Sequence, residues 1–111
     1  MRHYQEKLNA RLTVLDSPNF RFVFIFSAAV KLLIDKNGGS AIVQFITTAP
    51  AKDDCQIQIS EEDFLAILDG KLNPQVAFRK GLLTISGNFD MALRLHFLFG
   101  IFDLAIGGKA L

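Results

Sequence analysis

Few residues of this chain stand in a pattern that marks a nucleophile, a base or a metal ligand. Its thiol and imidazole groups are Cys55, His3 and His96. A nucleophilic cysteine needs a neighbouring base or a setting that lowers its pKa. No such base is identifiable for Cys55, so it reads as a small buried hydrophobe. Asp53-Asp54 and Glu61-Glu62-Asp63 are acidic runs without histidines at ligand spacing. They read as a solvated loop and a helix start, not as a metal site. Ser60 and Ser86 lack a nucleophile elbow or a triad partner. Gly38-Gly39 and Gly107-Gly108 lack the context of a phosphate loop. Neither an enzyme nor a cofactor is expected. His96 is the one polar candidate of interest, because it stands in a strongly apolar C-terminal stretch. It either contacts a polar headgroup or carboxylate, or sits half-exposed on a helix flank.

If the chain carries little chemistry, its excess of apolar surface needs another destination. Half of the 111 residues are hydrophobic, and 11 of them are Phe, with no Trp and one Tyr. One domain spanning residues 1–111 is expected, since the length is too short for two cores. So much large apolar surface must pack tightly, line a cavity or form an interface. The net charge of +1 argues against nucleic acid as a partner. It leaves room for transient contact with an anionic membrane surface. A single cysteine implies no oxidising compartment. Met1 to Lys7 lacks the apolar core of a signal peptide, and no apolar run approaches the roughly 18 residues of a membrane span. The cytoplasm is the expected compartment. Lys109-Ala110-Leu111 has its basic residue in the wrong place for a peroxisomal signal.

The elements that must position these residues follow from periodicity. Tyr4, Leu8, Leu12 and Leu15 predict a helix that Asp16-Ser17-Pro18-Asn19 ends. Phe20, Phe22, Phe24 and Phe26 alternate along a strand whose other face carries Val23 and Ile25, as in a central strand. Ala29 to Asp35 is a second strand and Ser40 to Thr47 a third, joined by a turn at Lys36-Asn37-Gly38-Gly39. The three strands read as an antiparallel meander. Cys55, Ile57 and Ile59 alternate with Gln56 and Gln58 in a half-buried strand. Ser60 is the expected N-cap of the next helix, which carries Phe64, Leu65 and Leu68 and ends at Gly70. Asn73-Pro74 opens a short helix through Phe78. Leu82 to Ser86 is a last strand, with Leu83 and Ile85 on one face. A nearly all-apolar helix is predicted from Asp90 to Phe102.

Three segments carry a family likeness. Asp54 to Leu65 (DCQIQISEEDFL), Gly70 to Phe78 (GKLNPQVAF) and Gly81 to Asn88 (GLLTISGN) with Met91-Ala92-Leu93-Arg94-Leu95 occur in order at short spacings. Together they resemble the sterol carrier protein type-two, or SCP-2, family. The resemblance implies an α+β fold, a five-stranded, mostly antiparallel sheet with helices on one face and a hydrophobic cavity between them. It implies non-catalytic binding and carriage or presentation of a lipid. Fatty acids, fatty acyl-CoA and phospholipids are better candidates than sterol, for which no residue here speaks. Phe24, Phe64, Leu68, Phe78, Leu83, Ile85, Met91, Leu95 and Phe99 are the candidate lipid-binding residues, with His96 as the polar contact. Each apolar member also reads as plain core. The alternative is an interaction module: a homodimer, or an accessory to a lipid-metabolising or quinone-biosynthesis enzyme. Val23, Ile25 and Leu82 would then make the outer sheet face adhesive.

Overall fold

An extended segment turns alternate side chains to opposite sides, so the Phe20, Phe22 and Phe24 rings demand an apolar layer along one side of their strand. In the computed structural model, which describes residues 4–14 and 18–94, that demand is met by helices packed on one face of a sheet. Helix α1 (Tyr4–Val14) leads into strands β1 (Phe20–Ile25), β2 (Lys31–Asn37), β3 (Ser40–Ile46) and β4 (Cys55–Ile59). Helices α2 (Glu61–Leu68) and α3 (Pro74–Arg79), strand β5 (Leu83–Gly87) and helix α4 (Phe89–Ala92) follow. The sheet has five strands in the order β3-β2-β1-β4-β5. Strand β1 is central, as its two apolar faces predict. Its pairing with β4 is parallel, and every other pairing is antiparallel.

The register lines up the inner face. Phe45, Leu32, Phe24, Ile57 and Ile85 form one cross-strand row, and Val43, Ile34, Phe22, Cys55 and Gly87 the next. Leu8 and Leu12 of α1, Phe64 and Ile67 of α2, and Ala77 of α3 close over these rows in a single buried cluster. Each large side chain removed from water there contributes roughly 1.5–3 kcal/mol. Val23 is also buried, on the opposite face, beside Leu33 and Gln56. At the free edge of β3, the Gln5 side-chain amide of α1 donates to the Val43 carbonyl at 2.6 Å. A side chain thereby occupies a backbone acceptor that an open edge would offer to another chain.

Local chemistry sets the boundaries. The Ser27 hydroxyl accepts from the backbone N–H groups of Ala29 and Val30, and the N–H groups of Phe26 and Ser27 both donate to the Val30 carbonyl. This turn absorbs Ala29 and Val30, so β2 starts at Lys31 and not at Ala29 as the sequence suggests. At the other end, Lys36 and Asn37 stay in the ladder opposite Ala41 and Ser40. Only Gly38 and Gly39 form the turn, with Gly38 at a φ of 61°. Asn73 caps α3 through bonds from the N–H groups of Gln75 and Val76, and Asn88 caps α4 through the N–H of Met91. Helix α4 closes at Leu93. The remainder of the expected C-terminal helix, Leu95 to Phe102, lies outside the described residues.

Candidate functional site

Helix α2 starts where β4 ends, and this short junction fixes the centre of the site. The Ser60 hydroxyl accepts from the Asp63 N–H at 3.0 Å, so Ser60 is the N-cap the sequence predicts. Glu61, Glu62 and Asp63 then sit at the positive end of the helix dipole. One residue on, the Phe64 ring drops onto the inner sheet face and is wholly buried. It lies 4.9 Å from the Phe24 ring, 5.2 Å from Phe26 and 5.8 Å from Tyr4, centroid to centroid. Tyr4 in turn meets Phe45 edge-on at 6.1 Å. Phe24 continues to Phe22, and Phe22 stacks on Phe20 at 5.3 Å. The result is an aromatic track along β1, topped by Phe64 and Tyr4. Each such ring pair adds roughly 0.5–1.5 kcal/mol beyond area burial. The Tyr4 hydroxyl donates to Glu61 at 2.8 Å and ties α1 to the head of α2.

Most of the sequence-predicted candidates that fall in the described residues join the buried cluster that contains this track. Phe24 and Phe64 belong to the track, Leu83 is buried in the same cluster, and Leu68, Ile85 and Met91 are half-buried against that cluster. Phe78 departs from expectation. It is 56% exposed, because α3 turns Ala77 inward and the next residue, about 100° further round the helix, points to solvent. Leu95, His96 and Phe99 lie outside the described residues. Of the outer-face trio, Val23 is buried, Ile25 half-buried and Leu82, just before β5, 39% exposed.

One residue that sequence reasoning missed also faces the core. Lys36 is 2% exposed and lies in register between Phe20 and Ala41, on the helix-facing side. The signal was present in the alternation Leu32, Ile34, Lys36, but assigning Lys36 to the turn concealed it.

The acidic runs hold neighbouring segments together. Asp54 accepts from the Ala51 N–H at 2.9 Å and from Arg21 at 3.0 Å, and Arg21 also pairs with Asp35 at 2.9 Å. The bond that Arg21 donates to Asp54 is the largest cause raising the Arg21 pKa. Arg21 is substantially exposed, so each pair contributes at most about 1 kcal/mol. Among the described residues, no three His, Cys, Asp or Glu side chains are grouped to hold a metal, and no helix is long and apolar enough to cross a membrane.

Cys55 is 1% exposed. Burial first, and the Asp54 charge second, push its thiol up from 9.0 to about 11. A thiol held neutral is a poor nucleophile. The raised pKa leaves stability intact below the unfolded value. Between 9.0 and about 11 the unfolded chain ionises while the folded one does not, so stability falls as pH rises. Wild-type protein is expected to lose more of its urea midpoint between about pH 8 and about pH 10 than Cys55→Ala does. Equal losses in the two proteins would contradict the buried, neutral thiol.

The family model described as SCP-2 sterol transfer family matches residues 5–100. The chain belongs to the SCP-2 sterol transfer family. It is 41% identical over 61 residues to sterol carrier protein 2 of Homo sapiens, a match covering 55% of this chain and 11% of that protein. It is 47% identical over 60 residues to peroxisomal multifunctional enzyme A of Dictyostelium discoideum, covering 54% of this chain and 13% of that one. The chain thus spans only a small part of the curated relatives it matches. Its fold is similar to that of palmitated SCP2L2 from Aedes aegypti, with a TM-score of 0.62 at 22% identity over 89% of this chain and 95% of that one.

Proposed function

We propose that this chain binds a lipid between its inner sheet face and its helices, and carries or presents it without chemical change. The observation that carries this is the aromatic track along β1, covered by α1 and α2, in a member of the SCP-2 family. Fold and family together support an apolar cavity between the two layers. A structure of the same fold bears palmitate, which favours an acyl-chain ligand over a sterol. Transfer energies agree. Burying an acyl chain is worth roughly 0.8 kcal/mol per methylene, or on the order of 12 kcal/mol for a palmitoyl chain. Lost ligand freedom offsets about half or more of it. An affinity on the order of micromolar or tighter results with no catalytic group. Carriage would take place in the cytoplasm, with transient contact to membrane surfaces.

A second reading, pairing with a copy or with a lipid-metabolising or quinone-biosynthesis enzyme, draws on the outer sheet face. Ile42 is 49% exposed there, near half-buried Leu33 and Ile46. One set of measurements separates the two. Delipidated protein should bind a fluorescent fatty acid saturably, and freshly purified protein should carry a lipid mass in native mass spectrometry. No saturable binding of fatty acid or phospholipid, with a tight dimer in sedimentation at low concentration, would leave only the second reading.

A further inference from the structure

We infer that Lys36 anchors the anionic headgroup of a single-chain lipid. This rests on the lipid-binding reading above and specifies one end of its site. Lys36 is an anomaly in the inner face. The residues that alternate with it, Leu32 and Ile34, are fully buried, as are Phe20 beside it and Leu12 of α1. A buried ammonium is costly unless its donors are used, and a methionine of similar length would fill the space without that cost. The ammonium has three donors. Among the described residues it gives one, to the Gly38 carbonyl of its own hairpin. The others are available to an acceptor.

The surroundings favour an anion. The Gly38 N–H donates to the Asn19 side chain at 2.8 Å, and Arg94 donates to the Asn19 backbone carbonyl. The hairpin turn, Asn19 and Arg94 therefore form one hydrogen-bonded patch that brings two cations to the same end of the sheet. Arg94 is half-exposed, with most of its guanidinium donors uncommitted by this bond. The carboxylates of Asp35 and Asp54 are turned to the other face, where they pair with Arg21. The aromatic track starts at Phe20, next to Lys36, and Phe20 to Phe24 covers about 13 Å of strand. A positive end followed by an apolar track complements an acyl chain bearing one carboxylate. Bonds between an ammonium and a carboxylate are the stronger, charge-assisted kind.

The test compares palmitate with its uncharged alcohol, each displacing a fluorescent probe from the delipidated protein, for wild type and Lys36→Met. Palmitate affinity should fall at least about tenfold in Lys36→Met, while the alcohol changes less than about twofold. Lys36→Arg should retain the preference for palmitate. Equal weakening of both ligands, or no change in either, overturns the anchor and assigns Lys36 to the hairpin alone. If wild type binds neither ligand, the lipid-binding reading has failed and the anchor with it. Lys36→Gln, whose amide can still bond Gly38, carries the same comparison if Lys36→Met does not fold. Arg94→Gln should give a smaller loss, again confined to palmitate.

Discussion

Phe64→Ala is expected to destabilise the fold by about 3–5 kcal/mol, measured by urea unfolding followed in the far-ultraviolet. The ring is wholly buried and touches Phe24, Phe26 and Tyr4, which arrive from the central strand, the turn after it and the first helix. Its removal leaves a hole that cannot easily collapse. The sheet below is pinned by ladders on both sides of β1, and α2 is held at its start by Ser60. The loss would be a large share of the roughly 5–15 kcal/mol that a domain has in total. Phe64→Leu keeps much of the volume and should lose clearly less. A cost below about 1 kcal/mol for Phe64→Ala would mean that the ring has no tight packing to lose.

Gly87→Ala should be more damaging than replacement of Gly38, Gly39 or Gly81. Gly87 has a φ of 84°, a region that costs an L-residue roughly 1–2 kcal/mol. A Cβ there would also stand 2.1 Å from the backbone oxygen of Asp54, which cannot swing aside as a flexible side chain would. Relief requires parting β5 from β4 at the last paired residue, opposite Cys55, and shifting the Asn88 cap. Gly81 is the control. Its φ of 75° is similar, but a Cβ there meets nothing within 4 Å. Gly81→Ala should cost about 1 kcal/mol, and Gly87→Ala at least about 2 kcal/mol more. Equal losses at the two positions would show that backbone conformation alone matters and the close approach does not.

Much of the fold was readable before any coordinates. The alternation of Phe20, Phe22 and Phe24 announced a central strand because that pattern has one geometric meaning. Ser60, Asn73-Pro74 and Gly70 marked helix ends through the same capping chemistry seen in the structure. The start of β2 was not readable, since the Ser27 turn draws Ala29 and Val30 out of the ladder and nothing in their own propensities says so. Which candidates face the core was legible where periodicity decides it, at Phe24, Leu83 and Ile85. It failed at Phe78, where a short helix has two apolar neighbours and only packing selects Ala77. It failed at Lys36 because a charged residue beside Asn-Gly looks like turn chemistry.

The parallel pairing of β1 with β4 has a consequence for how the chain reaches its fold. The β1, β2 and β3 meander pairs residues close in sequence, whereas Phe22 pairs with Cys55 about thirty residues further along the chain. Nucleation is therefore cheap on one side of the sheet and expensive along its midline, which favours slow annealing of the two halves. Until they anneal, β1 offers an open edge lined by phenylalanine, and the Gln5 bond at β3 protects only the opposite rim. Collision between nascent chains would compete with that one closure. Slower synthesis or lower temperature during production would thus favour soluble protein by giving the midline time to form.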